Sequence, residues 1–248
     1  MNVAENSNKS EIVSSLAMNL SKSGFKVCLF DAYFGYNNSS FRFNNENAID
    51  LKEFLIGRIG ALDVPSKINE KLYIVKSDNF LFDYENYLKD IDVLISQLKE
   101  KCDYVLIDIN VFDKCSLSSF LNLVSECFIF INNNIYSVRS AKKLLLKIAQ
   151  MKNIKNVKLV IDNHKVIGEL LKKELSVLGI EKILKTKVLY VFPKIKICYK
   201  NKTKYQMNYD SEFCYNVITN ESFYINYKNR YVGLSGMLRR RLYEKFEI

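Results

Sequence analysis

The chain has 248 residues, enough for one α/β domain with a sizeable core. Hydrophobic residues make up 48% and charged residues 26%, no apolar run reaches the roughly 18 residues of a membrane span, and the polar N-terminus does not read as a secretory signal. The net charge of +10 is uneven: residues 1–150 hold 17 Lys and Arg against 18 Asp and Glu, whereas residues 151–248 hold 20 against 9. A basic excess confined to the last two-fifths points to an anionic partner (acidic protein, acidic lipid or nucleic acid) or to a lysine-rich solvated surface.

In chain order, residues 10–23 place Ile12, Val13, Leu16, Ala17 and Leu20 on one helical face, with Gly24 as a C-terminal stop. Phe25–Phe30 is a short β-rich apolar run and predicts a buried strand. Ile49–Ile56 predicts a short helix, Leu72–Val75 a strand, and Tyr84–Lys101 a helix with Leu88, Ile91, Ile95 and Leu98 inward. Tyr104–Ile109 predicts a second buried strand with a carboxylate near its end. It is followed by a short helix over Leu117–Val124, a strand over Cys127–Ile131 and a helix over Ser137–Met151. Val157–Ile161 predicts a strand, Val166–Leu178 a helix stopped at Gly179, and Val188–Phe192 a strand stopped by Pro193. The tail from about Gly233 predicts a helix.

Strands that are nearly continuous apolar runs, alternating with helices, predict a doubly wound α/β domain over 1–248, with a mostly parallel sheet covered by helices on both faces. Ligands of such sheets bind at the carboxyl ends of strands. Asp31 follows the first strand, Asp108 ends the second, Asp162, Asn163 and His164 follow VKLVI, and Pro193 follows VLYVF. Asn8, Lys9 and Ser10 lie just ahead of the first helix.

The six cysteines, Cys28, Cys102, Cys115, Cys127, Cys198 and Cys214, form no CxxC pair and lie mostly in apolar runs, so they read as buried free thiols in a reducing compartment. One histidine in a turn supports no Ser-His-Asp or Cys-His set. No metal site is expected, and the aromatic residues read as core.

This ordered set resembles the MinD/ParA group of deviant Walker A ATPases. NLSKSGFKVCLFDAYFGYNNSS is similar to the group's segment from first helix to acidic strand end. CDYVLID is similar to its Walker B strand, VKLVIDN to the strand whose Asn touches the base, and VFP to the last strand end. The resemblance covers nearly the whole chain; the DAYFGYNNSS segment looks most like the flagellar-placement branch (FlhG), with the pilus-assembly branch (TadZ) close behind. It implies phosphate contact by Asn8, Lys9 and Ser10, a Mg²⁺ role for Ser10, Asp31 and Asp108, and base contact by Asn163 and Pro193, with ATP and Mg²⁺ as cofactors. It also implies a cytoplasmic protein that can dimerise and attach peripherally to the inner face of the membrane.

The departures lie in the loop. AENSNKS holds no glycine, so the backbone N–H groups lose the freedom that lets them converge on phosphate. Ala4 falls on the group's signature lysine and Tyr33 on the second Asp of its DAD motif, so little or no hydrolysis is expected. Only Met1-Asn2-Val3 precede Ala4, where the group has a buried first strand. Either the chain is a fragment, its start lies upstream, or the domain lacks a central strand; the first two are favoured.

Each residue also has a plainer reading. Lys9 and Ser10 can be a solvated helix start with Ser10 or Asn8 as N-cap, Asp31 and Asp108 polar strand ends, and Asn163 a turn residue. In the terminal stretch 233–248, Leu234, Met237, Leu238, Leu242 and Phe246 share a helical face beside Arg239, Arg240 and Arg241. That pattern fits either a helix packed on the domain, which is favoured, or an amphipathic helix on an anionic membrane. The leading expectation is a degenerate MinD/ParA-like nucleotide-binding protein that positions or regulates a membrane-associated machine such as a flagellum, pilus or division apparatus. The alternatives are a non-enzymatic interaction module and an active ATPase with an atypical loop.

Overall fold

The structure is a computed structural model that describes residues 8–32, 39–43, 48–77, 84–109, 120–150, 154, 156–164, 174–193 and 204–220. Ala4, Tyr33 and the stretch 233–248 lie outside these residues, as do Leu117 and most of the predicted Val166–Leu178 helix.

Seven strands are described: β1 (Val27–Ala32), β2 (Ser66–Lys67), β3 (Leu72–Val75), β4 (Tyr104–Ile109), β5 (Glu126–Ile131), β6 (Asn156–His164) and β7 (Val188–Pro193). The helices are α1 (Lys9–Lys22), α2 (Leu51–Leu55), α3 (Leu88–Lys101), α4 (Ile135–Ile148), α5 (Val177–Leu184) and α6 (Lys204–Thr219). Strands and helices alternate as the apolar pattern requires, and every described pairing but one is parallel. The exception is the two-residue β2, antiparallel to β3 at one edge.

The strands form two ladders, β2-β3-β1-β4 and β5-β6-β7. β1 is buried at all six positions, as an interior parallel strand must be. In β4, by contrast, Tyr104–Ile107 are only half-buried. α1 lays Ile12, Leu16, Ala17 and Leu20 into the core. Beyond it Gly24 takes φ +99°, a backbone conformation that a side chain would strain. The second ladder is locked by Phe128, Tyr190, Phe192 and Phe213, whose rings meet edge-on or tilted at 4.7–6.3 Å.

The structure corrects several sequence expectations. Tyr84–Tyr87 is a 3₁₀ turn leading into α3 rather than its first α-helical turn. Gly179 does not stop a helix: it lies in the first turn of α5, and its N–H donates to the Oγ of the N-cap Ser176 at 3.0 Å. A serine cap outweighs a glycine whose φ is unexceptional. α6 and β2 were not anticipated.

Candidate functional site

α1 begins at the carboxyl edge of the strands. Lys9 is buried there, and its Nζ donates to Asp108 Oδ1 and, at 2.9 Å, to the Ile109 carbonyl. The solvated helix start is therefore overturned for Lys9, because α1 packs its first turn against the end of β4. The second carboxylate oxygen of Asp108, Oδ2, is buried with no hydrogen-bond partner. Asp31 is also fully buried and stands in register with Asp108 on the neighbouring strand. Registered neighbours point to the same face of a parallel sheet, about 4.8 Å apart in the backbone. Two carboxylates and one ammonium thus share one strand-end site.

Asn8 occupies the N-cap position, but its side chain makes no cap hydrogen bond. Its backbone N–H donates to Asp162 Oδ2 at 2.7 Å, across a separation of 154 residues. An acid from the end of β6 therefore meets the positive end of the α1 dipole, where a bound anion would otherwise gain most. Ser10 is half-buried in the first turn, and its carbonyl accepts from Ser14 Oγ at 2.6 Å. Asn163 and Pro193 lie near and at the carboxyl ends of β6 and β7, on the same edge as the acids; their side chains lie outside the described residues.

Two features of the site escaped the sequence reading. Asp162, adjacent to the expected Asn163, makes the contact to α1. Glu11 is buried and pairs with Arg42 Nη2 at 3.0 Å, which ties the 3₁₀ turn Ser40–Phe43 to α1. The acid at the end of β6 was the available signal for the first; nothing local marks the second.

Buried Lys9 and the orphaned Asp108 oxygen are compatible with a phosphate-bearing ligand that carries a divalent cation: Lys9 and Ser10 would face the phosphates, Asp31 and Asp108 the cation. No cluster of three or more His, Cys, Asp or Glu side chains able to hold a metal ion assembles among the described residues. No described helix is long and apolar enough to cross a membrane.

A helix that starts at the carboxyl edge of a parallel sheet, with a lysine against the acidic end of an adjacent strand, defines the class: a doubly wound α/β fold of the P-loop NTPase type. Within that class the fold is that of the MinD/ParA ATPases. No family model matches the sequence, and no curated protein matches it; solved structures do. The septum site-determining protein MinD of Pyrococcus horikoshii, complexed with Mg-ADP, superposes with a TM-score of 0.73 at 16% identity, covering 86% of this chain and 92% of that one. The MinC:MinD cell division complex of Aquifex aeolicus gives 0.68 at 21% identity, covering 88% and 86%. A plasmid partition protein of Borrelia burgdorferi bound to AMPPNP gives 0.66 at 16% identity, covering 89% and 96%.

Proposed function

We propose that this protein is a MinD/ParA-like nucleotide-binding regulator that places or controls a membrane-associated machine, with little or no ATP hydrolysis. The observation that carries the reading is the buried Lys9–Asp108 pair at the start of α1, in a fold whose solved neighbours include a MinD with Mg-ADP and a partition protein with AMPPNP. When bound, Mg-ATP supplies a polyphosphate charge and a hydrolysable anhydride. This chain contributes Lys9 and Ser10 toward the phosphates and Asp31 and Asp108 toward the cation, with Asn163 and Pro193 near the base.

The same geometry supports weak binding. Lys9 is already neutralised by Asp108, and the α1 N-terminus already holds Asp162. A nucleotide has to reorganise a buried ion pair before it gains its own contacts, and breaking such pairs costs several kcal/mol. The glycine-free loop, Ala4 and Tyr33 support slow or absent turnover. Calorimetric titration with Mg-ATP, run beside a phosphate-release assay, is the direct test. Expected are weak saturable binding, its loss in Lys9→Ala, and turnover at background; release at the rate of an ordinary ATPase overturns the reading.

A second reading, an interaction module that uses no nucleotide, has its own support. α4 exposes Arg139, Lys142, Lys143 and Lys147 and contains no acid, so it offers an anionic partner a basic face. Absence of binding at millimolar Mg-ATP favours it. Flotation with anionic vesicles, with and without residues 233–248, tests whether the terminal arginines and apolar face serve as a membrane anchor; the working expectation is that they pack on the domain.

A further inference from the structure

α4 and α5 pack against each other, and both end at the amino edge of β6 and β7, the edge opposite the Lys9–Asp108 site. Between their last turns and the first residues of β6 lies a groove of about 570 Å³. Its floor is apolar, built from Leu145 and Ile148 of α4, Ile154, and Val157 of β6. Lys185, Thr186 and Lys187, which join α5 to β7, form one wall, and no acidic side chain lines the groove among the described residues. Apolar surface is also exposed on the two helices near this end, Leu146 at 64% and Ile183 at 40%.

The cations of this wall are uncommitted. Lys185 and Lys187 are exposed, and neither ammonium makes a hydrogen bond or ion pair among the described residues. Lys142 stands one turn before Leu145 on the same stripe of α4 and is exposed as well. Lys158 is engaged elsewhere, with its Nζ 3.9 Å from Glu126 Oε1 and 5.7 Å from the centroid of the Phe128 ring. Lys185 carries a further mark. It caps α5 at φ 52° and ψ 33°, the left-handed conformation in which a glycine would be unstrained. A lysine there costs stability, and strain kept at the wall of a groove points to a binding role.

We infer that this groove docks an acidic amphipathic segment of a partner protein: a short helix whose apolar side chains enter the floor while its carboxylates meet Lys142, Lys185 and Lys187. The apolar floor and the unpaired cations have to be answered together, which apolar and acidic residues at helical spacing do. A bare phosphate fits poorly, because α4 and α5 bring the negative ends of their dipoles to the groove. The backbone of a nucleic acid offers nothing to the apolar floor, and a bilayer is entered by side chains that project rather than by a concave surface. The inference extends the interaction-module reading to a particular seat and partner, and it stands whether or not nucleotide binds at the opposite edge.

The test is the fluorescence anisotropy of three labelled peptides of about twelve residues. One has Leu and Glu at helical spacing, one Leu and Lys in the same pattern, and one Ser and Glu. The Leu/Glu peptide is expected to bind the 248-residue chain with a Kd of about 10–100 μM, and the other two about tenfold more weakly or not at all. Lys185→Glu with Lys187→Glu, and separately Leu145→Ser, should each weaken binding about tenfold. Lys143→Glu, on the opposite side of α4 from Leu145, should leave it unchanged. Lys185→Gly relieves the left-handed strain, so it should weaken binding severalfold with Tm equal or higher, and the loss is then no folding defect. Absence of Leu/Glu binding, binding that survives the groove variants, or an equal loss in Lys143→Glu overturns the proposal. So does the same lysine dependence toward phosphatidylglycerol vesicles or a DNA duplex without peptide binding, since the basic edge then serves a membrane or a nucleic acid.

Discussion

Lys9 and Asp108 decide how the strand-end site behaves, because both side chains are almost fully withdrawn from water. Removing one partner leaves the other charged and unpaired in the interior, whereas replacing both by apolar groups is close to neutral. Lys9→Ala is expected to destabilise the fold by about 3–5 kcal/mol in urea melts. The double replacement Lys9→Met with Asp108→Leu should cost much less than the sum of the single changes. Additive losses would mean that the pair is not coupled. The thiols make a second prediction. Burial pushes Cys28 and Cys127 above the ordinary thiol value, and Cys102 and Cys214 in the same direction. The folded chain therefore holds these protons where the unfolded chain releases them. This contribution to stability is intact below the unfolded thiol value of about 8.5 and is lost as pH rises from there toward the folded values. Denaturant midpoints should fall between pH 8 and pH 10 in the native chain, and by less in Cys28→Ala/Cys127→Ala, measured as the slope rather than the absolute midpoint.

At the scale of single elements, α5 rests on Ser176. Ser176→Ala should cost about 0.5–2 kcal/mol, the usual worth of a serine cap. At Gly179 an added Cβ would stand 3.1 Å from Ser176 Oγ, so in Gly179→Ala the serine must give by a few tenths of an ångström, and the melt reads whether the cap survives that shift. A helix that Gly179 terminated would instead show no response to loss of the serine, and far-ultraviolet dichroism with thermal melts separates the two. How far each element was legible follows from its physics. β3 and β4 were read to the residue because each is a short apolar run with polar residues at both borders. α6 was missed because its inward face mixes Asp210 and Asn216 with Phe213 and Cys214, which blurs the helical spacing. The buried polar groups have specific work there: Asn216 reaches the Leu189 carbonyl at 3.4 Å, and the neighbouring Glu212 accepts from Tyr190 Oη at 3.0 Å. β2 was too short to leave any pattern. Lys9, Asp31 and Asp108 could be placed at one edge of the sheet because strand ends can be ordered along the chain. Asp162 could be placed at that edge, but its grip on Asn8 joins groups far apart in sequence and became visible only once the ladders were assembled.

For the whole molecule, the break between β4 and β5 sets how the protein comes apart. Within each ladder, main-chain hydrogen bonds tie strand to strand; between the ladders, the described connections are side-chain packing through α1, α3 and α6 and the single hydrogen bond from the Asn8 N–H to Asp162. Packing of this kind transmits stability less completely than a continuous network, and small domains lose all-or-none behaviour when it weakens. The three-stranded half, stapled by its aromatic group, and the four-stranded half, which holds the Lys9–Asp108 pair, are therefore expected to melt as two cooperative units. Scanning calorimetry should return a calorimetric enthalpy larger than the van't Hoff value. Lys9→Ala should shift only the transition of the four-stranded half, so that a change at the strand-end site is felt across half of the molecule and stops at the break between β4 and β5.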